Sequence, residues 1–168
     1  MDSYLERLQR ELEDATRGAS PAAMTHAAPG KWNGAQILEH LFLTYLNTNR
    51  AMEKCLAVGA PLSTRKQTLK ERFGTLVVVK FGYFPEGRKS PERALPQGIA
   101  FEEVAAAIVP EIQKMAAGLD DCERRFGPKT KILDHPVLGP LTAQEWRKFH
   151  WIHGRHHARQ IRERMGKA

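Results

Sequence analysis

Four histidines fall within eight residues of this chain, His150-Trp151-Ile152-His153-Gly154-Arg155-His156-His157. The stretch reads as helix, which makes His153 and His157 i,i+4 neighbours on one face. Imidazole nitrogen is the commonest protein metal ligand, and two imidazoles one turn apart can grip one ion without backbone strain. At about 100° per residue, Trp146, His150, His153, His157 and Ile161 share one narrow stripe. The pair therefore points inward, with Phe149 and His156 at the edge of the stripe. His40 is the only other histidine on an inward helical face, three residues after Ile37 in an earlier helix. If the two helices are neighbours, His40 supplies a third nitrogen. Three histidines leave positions open for water or substrate, which is the pattern of catalytic rather than structural zinc.

Three neutral imidazoles leave a divalent ion its full charge. Such a centre lowers the pKa of bound water and deprotonates a bound thiol. S-transfer and hydrolysis are thus both within its reach. Zinc is the default ion, although three histidines also suit nickel, cobalt, iron or copper. Gly154 stands where a zincin-type protease needs the Glu of HExxH, which argues against that class.

Helper residues carry weaker signals. Gln160, one turn after His157, is a candidate to orient a ligand or substrate. Tyr45, five residues after His40, is a candidate to reach the cavity. Arg88 and Lys89 could clamp a carboxylate or phosphate of a thiol cofactor. Each also has an ordinary reading, as polar flank, core aromatic or solvated loop. Glu39 should point about 100° away from His40 and form a surface salt bridge. His26 and His135 fall in loops and receive no role. Cys55 lies about 22 Å along the helix from His40 at ~1.5 Å per residue, too far to ligate.

The elements that must position these groups are helices. Ser3 and Glu6 form a capping box that opens a first helix near 4–16. Gly18 to Lys31 reads as a loop. Asn33 with Gln36, stapled by Trp32 and Ile37, opens a second helix over 34–58. A third runs over 101–125, with Pro110 expected to kink it. Thr130 to Pro140 reads as a loop. Thr142 with Glu145, stapled by Leu141 and Trp146, opens a fourth helix over 143–165. Between helices two and three lies a connection of roughly forty residues, far above the usual loop length. Within it, Lys66 to Val79 reads as a short helix or a strand-like run, and the β-branched Thr75 to Phe81 mimics a strand. Phe73, Phe81, Tyr83 and Phe84 should pack that connection onto the rest. The expected fold is all-α: a single domain over 1–168, a four-helix bundle whose long crossover makes helices two and three parallel.

Composition narrows the class. The 168 residues suffice to bury a core without staples. The two cysteines, Cys55 and Cys122, form no CxxC and no disulfide framework. Charges interrupt the first ten residues, so no signal peptide is read there, and no apolar run approaches a membrane span. A cytoplasmic protein without a membrane partner is expected. The net charge of +7 permits an anionic partner. The basic residues are scattered, however, and match no nucleic-acid motif, so no nucleic-acid partner is expected. A homodimer is plausible for a small bundle, and a small-molecule substrate suits the site.

Trp32 to His40, WNGAQILEH, and His150 to Ile161, HWIHGRHHARQI, resemble the opening and closing signatures of the DinB-like superfamily. HPVLGPLTAQEW, from His135, and FPEGRKSPE, from Phe84, resemble its subgroup described as DUF1569. The resemblance covers nearly the whole chain. It implies a four-helix bundle holding a metal on three histidines, one from helix two and two from an HxxxH on the last helix. Residue by residue these are His40, His153 and His157. It further implies a metal-dependent S-transferase using a low-molecular-weight thiol such as bacillithiol, mycothiol or glutathione on an electrophilic substrate. The alternatives are a hydrolase on the same site and a non-catalytic module that binds a small ligand or metal.

Overall fold

The computed structural model describes residues 3–26, 29–63, 65–84 and 90–166. Four long helices dominate it: α1 (Ser3–Thr16), α3 (Gly34–Val58), α5 (Phe101–Phe126) and α6 (Ala143–Arg164). Two short ones, α2 (Pro21–Thr25) and α4 (Leu69–Thr75), lie between them. The periodic positions of the long helices face one core, built from Leu5, Leu8 and Leu12 of α1, Ile37, Leu41 and Met52 of α3, Ile112, Met115 and Leu119 of α5, and Ile161 of α6. Each such side chain contributes roughly 1.5–3 kcal/mol on burial.

Local chemistry places the helix ends that matter for the site. Asn33 accepts from Gln36 N at 2.9 Å while Gln36 Oε1 accepts from Asn33 N at 3.0 Å. Thr142 and Glu145 make the same reciprocal pair at the start of α6. Gly59 closes α3 in the left-handed conformation, φ 75°, where a side chain would be strained. Contacts between helices set their directions. Asn49 meets Glu111 and Arg125 reaches Leu56 O, so α3 and α5 run parallel. His40 meets His153 and Thr48 meets His150, so α3 and α6 run antiparallel. Arg147, only 2 % exposed, ties α6 to α5 through Asp120 at 2.7 Å and Glu123 at 2.8 Å.

Several expectations are corrected. Residues 130–140, read as a loop, begin an antiparallel hairpin of β1 (Lys131–His135) and β2 (Gly139–Thr142). Its turn is held by His135 Nδ1, which accepts from Val137 N and Leu138 N at 3.1 Å. His135 also packs on Phe149 at 4.4 Å, so it has a structural role after all. The loop over 18–31 contains α2, started by Pro21 and capped by Ser20. The β-branched run takes the helical of the two readings open to it: α4 passes into a π-turn, Leu76–Lys80, closed by Phe81 N to Leu76 O at 3.0 Å. Phe73, Phe81 and Tyr83 do not pack inward but are largely exposed; of that aromatic set Phe84 alone joins the core. The expected third helix is α5, and it holds Pro110 inside it.

Among the described residues Glu39 makes no surface salt bridge. It is buried, and its carboxylate accepts from Gln97 N at 2.6 Å and Gly98 N at 3.2 Å. Asn47 Nδ2 donates to Arg93 O at 3.0 Å. These three bonds strap the end of the crossover along α3. Among the described residues, no helix is long and apolar enough to cross a membrane.

Candidate metal centre

The site forms where α3 and α6 cross antiparallel, with the crossover strap laid over them. His40, His153 and His157 each present one ring nitrogen, and these three atoms lie within 4.8 Å of one another. His153 Nε2 is 3.3 Å from His40 Nε2 and 3.0 Å from His157 Nε2. Two nitrogens on one zinc, at ~2.0–2.1 Å each in tetrahedral array, stand about 3.3 Å apart. The rings are 3 %, 5 % and 8 % exposed respectively, so the centre is nearly closed to solvent. Phe84 covers His153 at 5.1 Å and His157 at 6.4 Å. Trp32 lies 5.2 Å from His40, and Phe149 stacks on His153 at 5.4 Å with a 13° interplanar angle.

The chemistry of the donor set decides what fits among these rings. A neutral imidazole carries one N–H. On His40 it sits on Nδ1, 2.7 Å from the Ala94 carbonyl, because a carbonyl oxygen can only accept. Nε2 of His40 therefore offers a bare lone pair. His157 Nδ1 stands 2.7 Å from Gln160 Oε1, and the Gln160 amide nitrogen is 3.2 Å from His156 Nε2. With the amide so turned, His157 also donates through Nδ1, and its Nε2 is bare as well. His153 stands between these two lone pairs and can give a proton to only one of them. An extra proton does not resolve the conflict, because burial lowers all three pKa values. Desolvation, followed by the charge of His40, takes His157 to about 3. Desolvation, followed by His157 and His40, puts His153 well below the ordinary value. Burial outweighs the Ala94 hydrogen bond in lowering His40. A cation accepting the three Nε2 lone pairs removes that conflict, leaving only the His153 Nδ1–H without a partner among the described residues, so these residues could hold a metal ion.

The two outer hydrogen bonds fix ring orientation, as second partners of metal-bound histidines do. Gln160→Leu removes the acceptor of His157 Nδ1. The expected result is metal affinity weaker by roughly 10–100-fold, measured by zinc competition with a chromophoric chelator. Unchanged affinity would show that Gln160 only flanks the site.

The remaining expected helpers lie elsewhere. Tyr45 does not reach the triad. It is fully buried beneath it, 5.5 Å from His150, and its hydroxyl is a buried group without a partner among the described residues. Arg88 and Lys89 lie outside the described residues. His150 is an inward group of the layer below, wholly buried and stacked on Trp146 at 5.5 Å. Sequence reasoning missed the Ala94 carbonyl and, although it expected Phe84 to pack inward, did not place that ring at the triad; both approach from the crossover at separations that periodicity cannot see.

Burial takes His150 to about 3, with a smaller contribution from His135. Because the folded value lies below the ordinary 6.5, the unfolded chain takes the proton first as pH falls. His150 thus stabilises the fold fully above pH 6.5, and that contribution is lost as pH falls toward 3. At pH 5 the loss is about 2 kcal/mol. Denaturant unfolding at pH 7 and pH 5 should show the gap between the two pH values shrink by that amount in His150→Leu. An unchanged gap would count against the buried neutral ring.

A family model described as the DinB superfamily matches residues 4–161. No curated protein and no solved structure matches the chain.

Proposed function

The chain belongs to the DinB superfamily, and on that premise we propose that it is a metal-dependent S-transferase that joins a low-molecular-weight thiol to an electrophilic small molecule. His40, His153 and His157 are the proposed ligands, and zinc is the default ion, with nickel, cobalt, iron or copper as alternatives. The observation that carries the reading is the pair of bare Nε2 lone pairs converging on a third buried imidazole. When bound, a divalent ion supplies Lewis acidity that acidifies a thiol or water brought to it.

The chain's own residues do the rest. Ala94 O and Gln160 hold two rings by their Nδ1–H groups. Phe84, Trp32 and Phe149 wall the centre and keep it dry, which strengthens every charge interaction inside. In the reaction the thiol S–H bond is lost and a carbon–sulfur bond forms. At an aryl halide the carbon–halogen bond breaks and the proton leaves with the halide; at an enone the C=C π bond opens and the proton ends on the α-carbon. The resemblance of the Phe84 and His135 segments to the DUF1569 subgroup is part of this proposal. The low exposure of all three rings favours a second reading, a module that holds a metal or small ligand without turnover.

The test pairs glutathione, bacillithiol and mycothiol with an activated aryl halide and an enone, on protein loaded one-to-one with zinc and on chelator-treated protein. Turnover with at least one thiol, lost on chelation, is expected. Ester hydrolysis without thiol moves the assignment to a hydrolase. A ligand-induced thermal shift with no product from any pair moves it to a binding module.

A further inference from the structure

A groove of about 370 Å³ opens between the start of α3 and the last turns of α6. Lys31, Arg159 and Arg164 line it against one carboxylate, Glu163, so three positive charges face one negative. Glu163 is paired with Arg159 at 3.5 Å. Arg164 donates through Nε to the Trp32 carbonyl at 3.1 Å, which pins its guanidinium at the rim. The N-terminus of the 25-residue α3 adds the positive end of its dipole.

The groove shares two walls with the triad. Trp32 lines it and packs on His40 at 5.2 Å. Gln160 lines it and bonds His157. Along α6, Gln160 to Arg164 lie three to seven residues beyond His157, roughly 5–10 Å at ~1.5 Å per residue. That is the length of a small metabolite. We infer that the groove binds the oxyanion end, carboxylate or phosphate, of the molecule whose reactive end reaches the three histidines. This rests on the metal-site reading for the reactive end alone. Arg fits such a group with its bidentate fork, and Lys adds a point charge.

Calorimetric titration at low salt tests this with two probes, malonate and inorganic phosphate, on zinc-loaded and chelator-treated protein. At least one anion should bind both forms. Lys31→Glu with Arg159→Glu should weaken it at least tenfold, and the paired Gln variants about threefold. Lys54→Glu, on the exposed far part of α3, should change it less than twofold. Malonate alone or phosphate alone binding names the oxyanion. Binding of neither, binding abolished by chelation, or equal weakening by Lys54→Glu overturns the inference. Zinc content of the same samples separates the two readings: retained zinc without anion binding sinks the groove, and anion binding without zinc retention sinks only the triad.

Discussion

His153→Ala is expected to purify without metal, whereas the parent chain should retain close to one ion per molecule. His153 is the central ring, 3.3 Å from His40 Nε2 and 3.0 Å from His157 Nε2. Its loss leaves two nitrogens on different helices and opens the centre to competing water. Removing an outer partner of a metal ligand costs roughly 10–100-fold in affinity, and removing a ligand should exceed the upper end of that range. Elemental analysis reads the result directly. Chelator supplies a second readout, because a ligand that binds only the folded state raises stability by mass action. Chelation should lower the Tm of the parent and leave His153→Ala unmoved. His135→Ala, changed in a histidine outside the triad, should keep its metal. Equal metal content in parent and variant would remove the basis of the functional reading.

Gly154→Ala should be the most damaging single-methyl addition in α6. A Cβ built on Gly154 falls 2.0 Å from Leu8 Cδ1 and 3.1 Å from the Tyr45 hydroxyl. Helix α1 therefore approaches α6 as closely as it does only because no side chain stands there. Overpacking a core typically costs 1–3 kcal/mol, and this contact sits at the severe end, so a loss of about 3 kcal/mol is expected in urea unfolding. Leu8→Ala alone should cost about 2–5 kcal/mol as a cavity. In the double variant the new methyl occupies space that Leu8 vacates. The two effects should then sum to less than their separate costs by more than about 1 kcal/mol. Strict additivity would mean that the clash is relieved elsewhere.

The parts of this architecture that were legible were those written in local chemistry. The Asn33–Gln36 and Thr142–Glu145 boxes span three residues each, and both are made. The inward stripe of α6 follows from its own periodicity, and its buried histidines lie on it. The family resemblance added that His40 faces the same point. What stayed hidden depends on partners far along the chain. Glu39 looked like a surface charge because its two donors, Gln97 and Gly98, are 58 and 59 residues away. The hairpin strands are short, five and four residues, and Pro136, Gly139 and Pro140 gave the segment the composition of a loop. Tyr45 shares the stripe of His40, but periodicity gives direction and not depth, and it lies one layer below. Nothing local in the sequence marks Arg147 as buried, because its partners Asp120 and Glu123 stand on another helix.

The sequence distance between the donors has a consequence in time. His40 and His153 are 113 positions apart, so translation at roughly 5–20 residues per second separates them by about 6–23 s. During that interval the nascent chain offers one ring of the triad, too weak alone to keep an ion. Any ion the triad holds is therefore captured only after the second half of the chain is made, from the metal pool met then.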